Sequence, residues 1–311
     1  MSDRIVSLLP ASTEILAEMG MAEQMVGRSH ECDYPSEIRE FPILTRPKTD
    51  MGETSEEIDQ TVQYYVRRGL SIYEVNTRRL KELNPDIIIT QDHCEVCAVP
   101  YKTISSAVKN FLGNEEVTIF TYAPKSLKMV YEGIEKIGNA VQARKAAHEL
   151  RQKLEEQLSA IHSKAIQNRK PTTILLEWIN PVLGSGSWLP ELIQVAGGEP
   201  VQAVSGGNAP KIGWRSLLKS NPEKLIISPC GYDLETARKE ALKLDQNPVF
   251  HQLKAVRNGE VYVVDGNRYI NRPGPRLVDS ARILAEIIHP ELFESSRKID
   301  AWMPLYEARV I

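Results

Sequence analysis

The chain has 311 residues, 42% of them hydrophobic and 25% charged, with a formal net charge of −3. That balance is ordinary for a globular protein and excludes a basic nucleic-acid binder, and no apolar run approaches the roughly 20 residues of a membrane span. The length suits two domains of about 150 residues, each able to bury its own core.

The opening stretch MSDRIVSLLPASTEIL has neither a positively charged leader nor an apolar run of signal-peptide length. A cytoplasmic chain is therefore expected, or a periplasmic one if the true start lies upstream. In the cytoplasm the four cysteines, Cys32, Cys94, Cys97 and Cys230, would be reduced and free to bind metal or react.

In chain order, RIVSLL (4–9) predicts a first strand, and QMVGRS ends a second short one before SHECDYP. PDIIIT (85–90), VTIF (117–120), TTILLEW (172–178), EKLIISP (223–229) and EVYVVD (260–265) predict further strands. They are continuous apolar runs, as in parallel sheets covered on both faces. SSAVKNFL, PELIQVAG and PRLVDSARILAEII have helical spacing.

The two halves echo one another. RLKELNPDIIIT (79–90) and RSLLKSNPEKLIIS (215–228) each run from a helix end through Asn-Pro into a strand, the proline stopping the helix. LPASTEILAEMG (9–20) likewise parallels GSWLPELIQVAGG (186–198), each a helix with an acid in its first turn and a glycine stop.

Residues 126–168 contain no proline, and their apolar positions mostly recur at three and four. They predict one connecting helix of about 43 residues and some 60 Å, with a pair of helices as the alternative. The expected fold class is α/β: two βα lobes with mostly parallel sheets, 1–125 and 169–290, joined by that long helix. A ligand cleft between the lobes and a C-terminal extension over 291–311 complete the expectation.

This layout, with RIVSLLPASTEIL, SHECDYP, QDHCEVCAV and NRPGPR, resembles the iron-chelate and cobalamin class of ABC-transporter substrate-binding proteins over about residues 4–290. SHECDYP, QDHCEVCAV and NRPGPR look specific to a cobalamin-binding subgroup. The resemblance implies a clamp for a corrinoid, haem or related metal chelate, with an ABC-transporter permease as partner.

The unusual residues gather at strand ends. His30, Glu31 and Cys32 follow the second strand; Gln91, Asp92, His93, Cys94 and Cys97 follow 85–90; Cys230 follows 223–229. Thiolate and imidazole donors suit zinc or iron, and Cys-x-x-Cys lets neighbouring loop residues share one ion. TQDHCEVCAVP (90–100) therefore reads as a metal clasp, a redox dithiol, a pocket wall or a polar turn. Packed small hydrophobes are the plainer account of any single thiol.

Ser12 and Thr13 in the first loop are further ligand candidates, with helix capping the plainer role for Thr13. So are Asp265, Asn267, Tyr269, Arg272 and Arg276, where guanidinium forks precede a helix and suit a phosphate or carboxylate. Trp188 and Trp214 offer flat faces for a macrocycle, on the expectation that the Gly-Ser-Gly-Ser and Ile-Gly before them are exposed turns. A metal- or thiol-dependent cytoplasmic enzyme is the alternative function, with Glu31, Asp33 or Asp92 as acid or base beside a metal-bound water.

Overall fold

The computed structural model describes residues 3–68, 70–91, 101–108, 117–294 and 301–306. The chain divides into two compact units: Met1–Glu53, Glu57–Pro124 and Met129–Lys153 in the first; Thr54–Glu56, Lys125–Lys128 and Leu154–Ile311 in the second.

The first unit holds strands β1 (Ile5–Ser7), β2 (Met25–Arg28), β3 (Thr45–Pro47), β4 (Tyr73–Val75), β5 (Ile87–Thr90) and β6 (Thr118–Thr121). Helices α1 (Pro10–Glu18), α2 (Ser55–Val66), α3 (Thr77–Leu83), α4 (Tyr101–Ala107) and α5 (Leu127–Ala140) fall among or after them. The main sheet runs β2-β1-β5-β6, all parallel, while β3 and β4 form a separate antiparallel pair. Val6, Leu8, Leu44, Leu80, Ile88 and Ile104 make the buried cluster beneath it. Removing such side chains from water drives the packing, at about 25 cal/mol per Å² of apolar surface.

The predicted 126–168 helix is two helices, α5 and α6 (Arg144–Ala165). Gln142 adopts φ 59°, and the Ala143 N–H donates to Gly138 O (2.7 Å), which closes the α5 end. Gly138 lets α6 fold back closely: a Cβ there would lie 2.2 Å from Ala147 Cβ. The large apolar positions skip from Val141 to Leu150 across the joint, the one sign of the turn in a segment that otherwise keeps a helical period and contains no proline. The 22 residues of α6 carry the chain from the first unit, through Lys153, into the second, from Leu154.

The second unit holds β7 (Thr172–Leu176), β8 (Glu199–Pro200), β9 (Lys224–Ile227), β10 (Val261–Val264) and β11 (Trp302–Pro304). Its helices are α7 (Leu189–Val195), α8 (Trp214–Ser220), α9 (Leu234–Ala241), α10 (Lys254–Arg257) and α11 (Leu277–Ile288). The sheet runs β11-β10-β9-β7-β8, parallel except for β11. Part of the expected C-terminal extension is thus an edge strand, Tyr262 pairing with Pro304 and Val264 with Trp302.

The Asn-Pro echo is structural. α3 ends at Asn84 (φ 38°, ψ 65°) and α8 at Asn221 (φ 38°, ψ 63°), and each Asn-Pro then leads into the central strand, β5 or β9. Asparagine tolerates this left-handed geometry and proline forbids continuation, so two residues set the same corner twice. The other echo is closer in outline than in charge: α7 has Glu191 in its first turn, whereas α1 has no acid there.

Candidate functional site

In parallel α/β sheets the loops beyond the strand carboxyl ends are where side chains are free to serve a ligand. At the end of β1, Ser7, Ser12 and Thr13 are fully buried. Thr13 Oγ1 lies within hydrogen-bond range of Ser7 Oγ (2.8 Å), Leu9 O (3.0 Å) and Cys32 Sγ (3.1 Å). Ser12 Oγ shares a bond with Ser7 Oγ (2.8 Å) and reaches Leu9 O (3.1 Å). Thr13 is not the cap of α1; Leu9 holds that position without a side-chain bond. Cys32, fully buried, completes this knot with Sγ 3.7 Å from Ser7 O.

The loop after β2 hangs on Arg28. Its guanidinium donates to the carbonyls of Ser29 (3.2 Å), Cys32 (2.9 Å), Arg39 (3.0 Å) and Phe41 (3.2 Å), a use of planar donor geometry that an ammonium cannot reproduce. Reasoning from sequence missed Arg28; its place directly before the SHECDYP stretch was the available signal. His30 Nδ1 meets Thr45 Oγ1 at 2.7 Å, its ring lies 5.2 Å from that of Tyr73, and Nε2 sits 3.2 Å from Glu31 Oε1. Gln91, just past β5, is buried. Asp92, His93, Cys94 and Cys97 lie outside the described residues.

In the second unit, three strand-end loops are knit by main chain: the Cys230 N–H donates to Glu177 O (3.2 Å) and the Asn267 N–H to Tyr232 O (3.1 Å). Gly266 must be glycine at this junction, because a Cβ there would lie 2.2 Å from Pro229 O. Cys230 is exposed. Trp178 and Tyr232 have ring centroids 5.5 Å apart, and Trp178 Nε1 donates to Asn180 O (3.1 Å).

Asp265 closes the turn that follows β10: Oδ1 accepts from the Arg268 N–H (2.7 Å) and Oδ2 lies 3.6 Å from Arg268 Nε. Burial raises its carboxyl above the usual range, more than these contacts lower it. Arg272 is only 4% exposed and donates to Asn267 Oδ1 (3.0 Å), so its fork faces inward; Arg268, with 54% of its side chain exposed, is the outward one. Arg276 lies 6.0 Å from the Tyr269 ring.

The Gly-Ser-Gly-Ser stretch is not an exposed turn. Gly184, Ser185 and Gly186 are buried, with Gly184 N–H donating to Pro210 O (2.9 Å), Gly186 N–H to Glu177 Oε1 (2.6 Å) and Ser185 bridging to Ala203. Glycine there serves close backbone packing rather than exposure. Trp188 is half-buried as it enters α7, and its Nε1 is buried without a hydrogen-bond partner among the described residues. Trp214, half-buried, is the first residue of α8.

The amino ends of β7, β9 and β10 border a cavity of about 520 Å³ lined by Arg169, Glu223, Lys224, Lys254, Glu260 and His289 among others. Its charges pair with one another: Glu223 with Lys254 (2.7 Å) and Arg169, Lys224 with Glu260 (2.5 Å). Lys254 foremost, with Arg169 and the Thr172 N–H, holds Glu223 down to about 2 against the effect of burial. These groups frame the sheet. Among the described residues no group of three or more His, Cys, Asp or Glu is placed to hold a metal ion.

Three comparisons bear on the whole chain. It is 24% identical over 304 residues to an uncharacterized ABC transporter substrate-binding lipoprotein of Bacillus subtilis, covering 94% of this chain and 81% of that one. It is 23% identical over 285 residues to the vitamin B12-binding protein of Vibrio cholerae, covering 90% and 86%. A periplasmic heme binding protein from Pseudomonas aeruginosa shares the fold at TM-score 0.70 and 18% identity, covering 94% of each chain. These relatives overturn the expectation of a cytoplasmic chain, since they are described as a lipoprotein of a transporter and as a periplasmic protein. The opening residues form β1 of the fold, so their lack of leader character says nothing of the protein's address. The family profile described as periplasmic binding protein matches residues 5–267, and the chain belongs to that family.

Proposed function

We propose that this protein is the substrate-binding component of an ABC importer, working outside the cytoplasm and delivering a small metal chelate, in the first instance a corrinoid, to a membrane permease. The family match over residues 5–267 carries this reading, because it runs through the strand-end loops of both units. The vitamin B12-binding and heme-binding relatives support a flat metal-chelate cargo. The chemistry of the second unit agrees. Trp178 and Trp188, both half-buried, supply aromatic area, and the exposed Arg268 supplies a fork for a phosphate or carboxylate on the cargo's rim.

Native mass spectrometry of the protein from its own cells reads the cargo directly, and a corrinoid or iron-porphyrin mass is expected. Titration with hydroxocobalamin and with hemin, followed by tryptophan quenching, then ranks the two. Arg268→Ala should weaken the preferred one about tenfold, and Trp188→Ala by at least as much. Saturable binding of neither chelate, with no metal-bearing mass in the native spectrum, would overturn the reading.

A further inference from the structure

Of the two sheet neighbours of β10, one stops short of the turn that carries Arg268. On the β9 side the register ends at Val263, opposite Ile227, the last residue of β9. On the other side β11 runs further: Val264 pairs with Trp302, and the Asp265 N–H donates to Ala301 O (2.9 Å). Asp265 is the residue on which the turn is built. Its Oδ1 accepts from the Arg268 N–H (2.7 Å) and its carbonyl from the Tyr269 N–H (3.2 Å). The far side of the turn is tied separately, by the Asn267 N–H to Tyr232 O (3.1 Å). β11 holds the near side, where the chain leaves the sheet.

β11 is itself pinned by side chains. Ala301 and Leu305 are fully buried, and the Leu305 N–H donates to Val261 O (2.8 Å). Trp302 Nε1 donates to Glu286 Oε2 on α11 (3.2 Å), with its ring 5.6 Å from that of Tyr262. The Tyr306 hydroxyl donates to Asp245 Oδ1. Burial of two small or aliphatic side chains would be enough to cover the sheet edge; the polar pegs also fix the register. A slip of one residue would turn the strand's faces over and carry Ala301 O away from the Asp265 N–H. The strand lies beyond the family match, which ends at residue 267.

We propose that β11 is a positioning element for cargo binding. Ala301 O, kept in register by Trp302 and Tyr306, orders the Asp265–Arg268 turn before the cargo arrives, so that the Arg268 fork meets the cargo's anionic group from a fixed backbone. The proposal rests on Arg268 being that anion contact. Trp302 and Tyr306 act through the turn and do not touch the cargo. A turn ordered in advance spares binding the entropy of ordering it.

The full chain carrying Trp302→Phe keeps an aromatic ring and loses the bond to Glu286. Amide hydrogen exchange read by mass spectrometry should speed about tenfold over residues 265–269 and stay unchanged over β7, whereas general loosening of the unit would raise both. Calorimetric titration with hydroxocobalamin and with hemin should show the tighter-bound chelate weakened about fivefold, the order of the cost of immobilising one long side chain. Combined with Arg268→Ala, the same change should cost less than about twofold further, because the group it acts through is gone. Tyr306→Phe is milder, should move both readouts the same way, and decides the matter if Trp302→Phe does not fold. Unchanged exchange over 265–269, or a loss of affinity just as large in the Arg268→Ala background, overturns the proposal and leaves the transport reading standing. Binding of neither chelate by the wild-type chain overturns the transport reading instead, and exchange still decides whether β11 orders the turn.

Discussion

Two strand-end loops, one in each unit, carry the two cysteines whose positions are described, and they end in opposite states. Cys32, after β2, is fully buried in the Ser7–Ser12–Thr13 knot under the Arg28 clamp. Cys230, after β9, is exposed, and main-chain bonds tie its loop to Glu177 O and to the Asn267 N–H, while the Tyr232 ring packs beside Trp178. A strand-end position therefore does not decide whether a thiol faces solvent. What decides it is whether the loop's polar groups can be satisfied internally. In the first unit three hydroxyls and a guanidinium close the loop on itself; in the second the backbone does that work and leaves the side chain outside.

The sharpest way to break this contrast is alkylation of the native protein with peptide mapping. Cys230 should react roughly a thousandfold faster than Cys32, which reacts only when its unit opens; similar rates would mean the knot is not closed. Next comes Arg28→Met, which strands several buried carbonyls and should lower unfolding free energy by about 3 kcal/mol in denaturant melts. It should also speed Cys32 labelling while leaving Cys230 labelling unchanged. Thr13→Val keeps the shape and removes one hydroxyl, so a loss of about 2 kcal/mol is expected, read in the same melts.

The smallest effect lies in the second unit and depends on pH. Burial raises the Asp265 carboxyl in the folded state, so its contribution is full below the ordinary aspartate range and declines as pH climbs through the raised value. Asp265→Asn keeps an oxygen for the Arg268 N–H and should flatten that decline, leaving stability less dependent on pH above about 4. An unchanged pH profile would show that the carboxyl is solvated after all.

Much of the fold was legible because its signals are local. The apolar runs at 85–90 and 223–229 appear as central strands, and the Asn-Pro before each appears as the same left-handed corner, because one asparagine and one proline suffice to make it. The site was legible only in outline. Asp265 and Arg272 follow β10 as expected, whereas Ser12 and Thr13, expected in a loop, lie in the first turn of α1, and the described contacts of these four are with the protein's own groups. His30 and Glu31 were recognisable as chemistry, but the partner of the His30 ring, Thr45, lies 15 residues away in the chain.

By itself, then, the sequence determined the alternation of strands and helices, the duplicated corners and the family, since periodicity, proline and asparagine act on the few residues around them. The tertiary structure alone decided the break between α5 and α6, the burial of Cys32 and Gly184–Gly186, the inward turn of Arg272 and the Thr45 partner of His30. Each of these hangs on a close approach or a hydrogen bond made across the fold, and such partners are chosen by packing rather than by neighbours in the chain.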